Sequence, residues 1–323
     1  MISGGHAKLS SPLLKIYNKK IKKELLEKIE KNLFPIEFLR LLIRSYVEYL
    51  NEIKFANNLQ ITSFFESKYL QFVNNNDKEN FFVLGGSQSI NKISSDQWRF
   101  ISSQVSLGIN KWFVHRFVPS MLMVEGYKKC DLHKEKYTWI NDNLINYLSN
   151  EKLTVLVKDI SKSHLRWNDL RKSNQEIYSI PKLKIPGRSN LSFKKSLLIM
   201  KKFGLHNVFN LFSRTSIIQA ISLGQILGYK KIILCGVDLN DNKYFWSDNN
   251  FVCHEKTSIP NQDNKIINEG FHETSDLSLN KLTAEYLIKE FNNIILKESN
   301  IKLYVLSNYS VLYPDIPLYT FPL

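Results

Sequence analysis

From Phe81 onward, short apolar runs alternate with stretches of helical periodicity, and this alternation restricts the fold more than any other feature. The runs are FFVLG (81–85), VSLGIN (105–110), MLMVEG (121–126), LTVLVKD (153–159), KIILCGVD (231–238) and KLYVLS (302–307). Each is expected to be a strand. Between them, residues 95–103, 137–149, 193–203, 214–228 and 278–298 carry the helical pattern. Strand and helix in alternation predict an α/β fold, a mostly parallel sheet flanked by helices. In such sheets ligands sit at the carboxyl ends of strands, so the residue just after each strand matters most.

The first 75 residues have a different texture. Leu13, Leu14, Ile16, Tyr17, Ile21, Leu25, Leu26 and Ile29 recur at helical spacing. Pro35 opens a second helix, with Phe38, Leu39, Leu42, Ile43, Tyr46, Val47 and Leu50 expected along one buried face. A third helix is expected over 61–73, and NNNDKEN (74–80) is a polar linker. The division is therefore a helical N-terminal region, 1–75, followed by one α/β domain, 81–323. Residues 160–192 and 242–270 show little pattern.

Composition narrows the function classes. The 323 residues carry a formal charge of +14, which attracts anions: nucleic acid, anionic lipid headgroups or phosphorylated substrates. Basic residues concentrate in KIYNKKIKKELLEKIEK (15–31), with lesser clusters at 182–188 and 194–202; solvated helix faces account for them equally well. No zinc-finger spacing, RNP-type motif or helix-turn-helix is present, so no nucleic-acid partner is expected. No apolar run reaches the roughly 18 residues that span a bilayer, and no apolar segment of a signal peptide follows MISGGHAKLS. Cys130, Cys235 and Cys253 are widely spaced and form no metal or disulfide framework. A cytoplasmic setting is expected.

The strand ends carry the chemistry. FFVLG stops at Gly85-Gly86-Ser87-Gln88-Ser89, where glycines permit close ligand approach and free N–H groups suit phosphate. The pattern lacks the spacing of a dinucleotide fingerprint and the lysine of a P-loop, and an ordinary strand-to-helix turn uses the same residues. Asn110 ends the second strand, as a base or sugar contact or as a turn former. Glu125 ends the third; a carboxylate emerging from an apolar run invites desolvation, which favours a general acid, although a salt-bridged rim carboxylate fits too. SRTSIIQAISLGQILGY (213–229) begins with a polar cap at Ser213 or Thr215, and Arg214 and Ser216 can add donors to a phosphate. Asp238 ends the late strand, as metal ligand, nucleophile or turn cap, and Asn240, Asp241 and Tyr244 follow. His272 lies in the polar loop GFHETSD before a helix.

Taken in order, LGGSQSI, LGIN, VEG, RTSIIQAISLGQILGYKKIILCGVDLND and HETSD resemble bacterial glycosyltransferases that use CMP-activated sugars. The resemblance covers roughly 81–307 and extends to two groups. Bacterial sialyltransferases have a G-x-G-P-S-type loop, a T-S helix start, a G-x-D strand and a downstream histidine. Retaining β-Kdo transferases look closer around SRTSIIQ, GVDLN and YFW. The resemblance implies a Rossmann-like domain, with Gly85, Gly86, Ser87 and Ser89 at the nucleotide and Asn110 contacting it. It also implies that Arg214, Thr215 and Ser216 face the donor, with Asn240 and Tyr244 near its phosphate.

Two mechanisms then compete. In a retaining enzyme Asp238 attacks the anomeric carbon and Glu125 is the acid/base; in an inverting one His272 deprotonates the acceptor. Gln88 replaces the sialyltransferase proline, Glu125 an asparagine and Asn240 a tyrosine, which favours retention. Neither route demands a metal or a cofactor beyond the CMP-sugar substrate. The expected acceptor is a surface glycan of capsule, O-antigen or lipooligosaccharide type, with the basic N-terminal helices holding the enzyme peripherally at the inner, anionic membrane face. The rival classes are a pyrophosphokinase-type nucleotide enzyme and a basic nucleic-acid-binding protein.

Overall fold

The computed structural model describes residues 36–67, 78–125, 134–162, 165–166, 169–170, 175–187, 189–240, 243–259 and 282–322. Seven strands form one sheet: β1 Asn80–Leu84, β2 Val105–Ile109, β3 Met121–Glu125, β4 Thr154–Lys158, β5 Glu176–Ser179, β8 Lys231–Cys235 and β9 Lys302–Val305. Their order is β5-β4-β3-β2-β1-β8-β9, and every neighbouring pair is parallel. Two short strands, β6 (Leu183–Lys184) and β7 (Leu211–Phe212), pair apart from it. The fold is thus α/β and Rossmann-like, as the alternating pattern predicts.

Among the described residues the helices of eight residues or more are α1 Ile36–Asn58, α2 Ser95–Ser102, α3 Lys134–Leu148, α4 Asn190–Lys202, α5 Ser216–Ile226 and α6 Ala284–Phe291. Local sequence starts several of them. Ser94 and Gln97 form a reciprocal capping box at α2, as do Ser189 and Ser192 at α4. Thr283 caps α6, which runs on through a π-helical turn, Asn292–Leu296. Among the described residues no helix is long and apolar enough to cross a membrane.

The central strand is buried along its whole length because both faces are covered. Phe81 and Val83 pack into one core with α4, α5 and α6, and Phe82 and Leu84 into the other with α2 and α3. The helix that follows β1 (α2) and the helix that follows β8 (α6) therefore lie on opposite faces. Adjacent parallel strands whose connections leave in opposite directions open a crevice at their carboxyl ends. By that rule the candidate crevice falls at the carboxyl ends of β1 and β8.

Two expectations about the N-terminal region need correcting. Within 61–73 the described residues are helical only over Phe64–Ser67; residues 1–35 and 68–77, with the first expected helix, lie outside them. In α1 the buried face is not the full apolar stripe: Leu42 and Ser45 are buried, while Ile43, Val47 and Leu50 are 50%, 47% and 43% exposed. Polar contacts set this rotation. Ser45 Oγ accepts from Lys184 N at 2.6 Å, Glu48 pairs with Lys184 Nζ, and Glu52 accepts from Ser161. Tyr46 and Tyr49 meet Phe209 edge-on. Leu42 and Phe64 join the core that holds Phe81.

Candidate functional site

The loops after β1 and β8 lie against each other as a continuation of the sheet. Gly85 N donates to Cys235 O (2.7 Å), Ser87 N to Gly236 O (2.9 Å) and Phe245 N to Gly86 O (2.8 Å). A Cβ on Gly85 would stand 2.4 Å from Gly236 O, so only glycine allows this approach. Gly86 lies under the ring of Tyr244, with room for no more than a tight Cβ contact at 3.1 Å. Tyr244 in turn stacks on Trp246, with centroids 4.4 Å apart and planes 5° off parallel. Trp246 Nε1 is buried without a hydrogen-bond partner among the described residues. The Lys111 ammonium stands 5.3 Å from the Trp246 ring and 5.8 Å from that of Tyr244.

Asp238 is the tie between the two loops. Its Oδ1 accepts from Ser89 Oγ at 2.7 Å and its Oδ2 from Ser89 N at 3.2 Å, while Asp238 N donates to Ser87 Oγ at 3.2 Å. Ser89, expected to face a nucleotide, thus spends both its hydroxyl and its N–H on the carboxylate, and the Ser87 hydroxyl accepts from the Asp238 backbone N–H. The turn-cap reading of Asp238 describes this geometry. Asn240 points elsewhere: its Nδ2 donates to Tyr309 O at 3.0 Å, which ties the loop to the C-terminal segment.

A second cluster stands at the ends of β2, β3 and β4, and its centre is a residue the sequence reading passed over. Lys158, the last residue of β4, has a side chain only 1% exposed. Its Nζ donates to Asn110 Oδ1 at 3.0 Å and to Ser216 Oγ at 2.5 Å, and faces Glu125 Oε2 at 3.5 Å. Asn110, Glu125 and Ser216 were each singled out separately from sequence; Lys158 brings them together. Burial lowers the lysine's pKa to about 8, helped by the nearby Lys182 and opposed by Glu125 and Asp159. The desolvation expected of Glu125 is not found. Its side chain is 44% exposed because it is the last residue of β3 and leans to the rim beside Lys158.

Thr215 is the N-cap of α5, its Oγ1 accepting from Ile217 N at 3.2 Å. That cap uses its hydroxyl and places Ser216 at the first turn. Arg214 is exposed and adopts φ 50°. Asn110, Asp159 and Leu239 share this left-handed conformation, with φ 57°, 48° and 63°. Asn and Asp enter this region readily, whereas Arg214 and Leu239 are side chains that rarely adopt it. His272 and Asp241 lie outside the described residues.

Both clusters stand at the carboxyl edge of the same sheet. Asn110 follows β2 and Asp238 follows β8, two strand spacings apart, or about 10 Å. One signal for Lys158 was present in the sequence: VLVKD ends an apolar run on a charge, as MLMVEG does. No family model, curated protein or solved structure matches the chain.

Proposed function

We propose that the chain is a glycosyltransferase that moves Kdo or a related 2-keto sugar acid from its CMP-activated donor to a surface glycan. One observation supports the reading: residues chosen from separate stretches of sequence gather into two clusters at the carboxyl edge of the sheet. Gly86, Ser87, Ser89, Tyr244 and Asp238 make one wall, and Asn110, Ser216 and Glu125 stand beside it around Lys158. The two walls together receive the donor, with the anomeric carbon of its sugar at Asp238.

In the retaining route the Asp238 carboxylate attacks the anomeric carbon, and CMP leaves with the bonding electrons on its phosphate oxygen. The acceptor hydroxyl then displaces the aspartate, and its proton passes to Glu125, whose partial exposure leaves it open to an incoming acceptor. The bond network of Ser89 fixes the carboxylate's orientation through both steps. A second reading follows from that same network. If Asp238 serves only to clamp the loops, transfer is a single inverting displacement with His272 as base. Association with an anionic membrane face stays tied to the basic segment 15–31.

Thermal unfolding tests the class. CMP at about 100 times its dissociation constant should stabilise the protein by about 2.7 kcal/mol, seen as a raised Tm, with UDP and NAD inert. A larger shift with ATP and Mg²⁺ than with CMP would replace this reading with a pyrophosphokinase-type enzyme.

A further inference from the structure

Two buried lysines stand near each other at the carboxyl edge, and their surroundings differ. Lys182 has a carboxylate against it, Asp159 Oδ2 at 2.5 Å, so its charge is matched in place. Lys158 is more deeply buried, yet its two close partners are neutral oxygens, and its nearest carboxylate, Glu125, is 3.5 Å away on a half-exposed side chain. A cation held in the interior without a tight counter-charge costs stability. It lies against the first turn of the eleven-residue helix α5, whose positive end adds to the deficit of negative charge. Its other anchor, Asn110, is held in a left-handed conformation. The carboxylate paired with Lys158 is a loose contact on a half-exposed side chain, which an incoming anion can supplement.

We propose that Lys158 receives an anionic oxygen of the ligand, either a phosphoryl oxygen of the nucleotide or the carboxylate of the sugar acid. The inference rests on the CMP-sugar reading and names a contact that reading lacked. Asn110 and Ser216 hold the ammonium in position. The charged groups that face Lys158 are Glu125 from β3, Asp159 after β4 and Lys182 ahead of β6. With its pKa lowered to about 8, Lys158 loses its charge on going above that pH. Affinity for the anion therefore falls as pH rises through that point. Stability without ligand moves the opposite way, because the cost of burying the cation is complete below about pH 8 and is relieved above it.

The test compares the wild-type chain with Lys158→Met, which fills similar volume without charge, for binding of cytidine, CMP and CMP-Kdo by calorimetry at pH 7. Cytidine should bind both proteins alike. A phosphate contact lowers the variant's CMP affinity roughly 10- to 100-fold; a carboxylate contact spares CMP and lowers CMP-Kdo affinity by that factor. The ligand-free variant should melt at or above the wild-type temperature, a pairing that a purely structural lysine would not give. Equal affinities of both proteins for CMP and CMP-Kdo overturn the inference and leave the CMP-sugar reading standing. A wild-type chain that binds none of the three overturns both. If Lys158→Met does not fold, the wild-type titration decides: CMP or CMP-Kdo affinity should decline above about pH 8 while cytidine stays flat, and affinities flat to about pH 9.5 reject the contact.

Discussion

Asp238→Asn is expected to lower sugar transfer by at least about 10³-fold while leaving CMP affinity within a few-fold of wild type. The substitution separates two roles that alanine would confound. Asp238 accepts from Ser89 N and from Ser89 Oγ. An asparagine can keep both contacts: its Oδ1 takes the Ser89 N–H, and its amide donates to the hydroxyl, which accepts as readily as it donates. The clamp between the β1 and β8 loops therefore survives, and the nucleophile does not. Alanine would strip the partner from both Ser89 groups at a cost of about 1–3 kcal/mol, and nucleotide binding would suffer for structural reasons alone. Turnover is measured with CMP-Kdo and a surface-glycan acceptor. If Asp238→Asn keeps near-normal turnover, the aspartate is a clamp only, and the product should show inverted configuration by NMR.

The strands were legible where burial is simple. Phe81 to Leu84 is covered on both faces, so it reads as one apolar run, and the same holds for β3, β4 and β8. β5 was not legible because EIYS is a half-exposed edge strand, secured by Ser179 N donating to Thr62 O from a distant segment. β6 and β7 are two residues each, shorter than any periodicity. The rotation of α1 escaped for a related reason. Ser45 and Glu48 look like solvent-facing residues until Lys184 is placed beside them. The candidate site divides in the same way. Strand ends mark positions, so Asp238, Glu125 and Asn110 could be picked out one by one. Partners come from strands far apart in sequence, so the tie of Asp238 to Ser89, the turn of Asn240 to Tyr309 and the meeting of three residues on Lys158 belong to the folded chain alone.

Gly236→Ala should produce the largest loss of stability, about 2–4 kcal/mol, together with loss of nucleotide binding. Gly236 adopts φ +63°, and a Cβ there would stand 2.3 Å from Ile90 Cγ1, an atom of a fully buried branched side chain, and 3.0 Å from Gly85 O. Ile90 is fully buried, in the same core as Leu84, Cys235 and Phe245, so it yields little. The added methyl must therefore push the two loops apart. That strains the bonds from Gly85 N to Cys235 O and from Ser87 N to Gly236 O, and it carries Ser89 away from Asp238. Gly204→Ala is the matched control. Gly204 has a nearly identical φ of +66°, but nothing lies within 4 Å of its Cβ position. It should lose only the backbone share, about 1 kcal/mol. Denaturant unfolding of both variants isolates the packing of the loop crossing from the strain common to them. If Gly236→Ala is no less stable than Gly204→Ala, the loops do not approach as closely as the crossing requires, and the crevice loses the wall on which Asp238 is mounted.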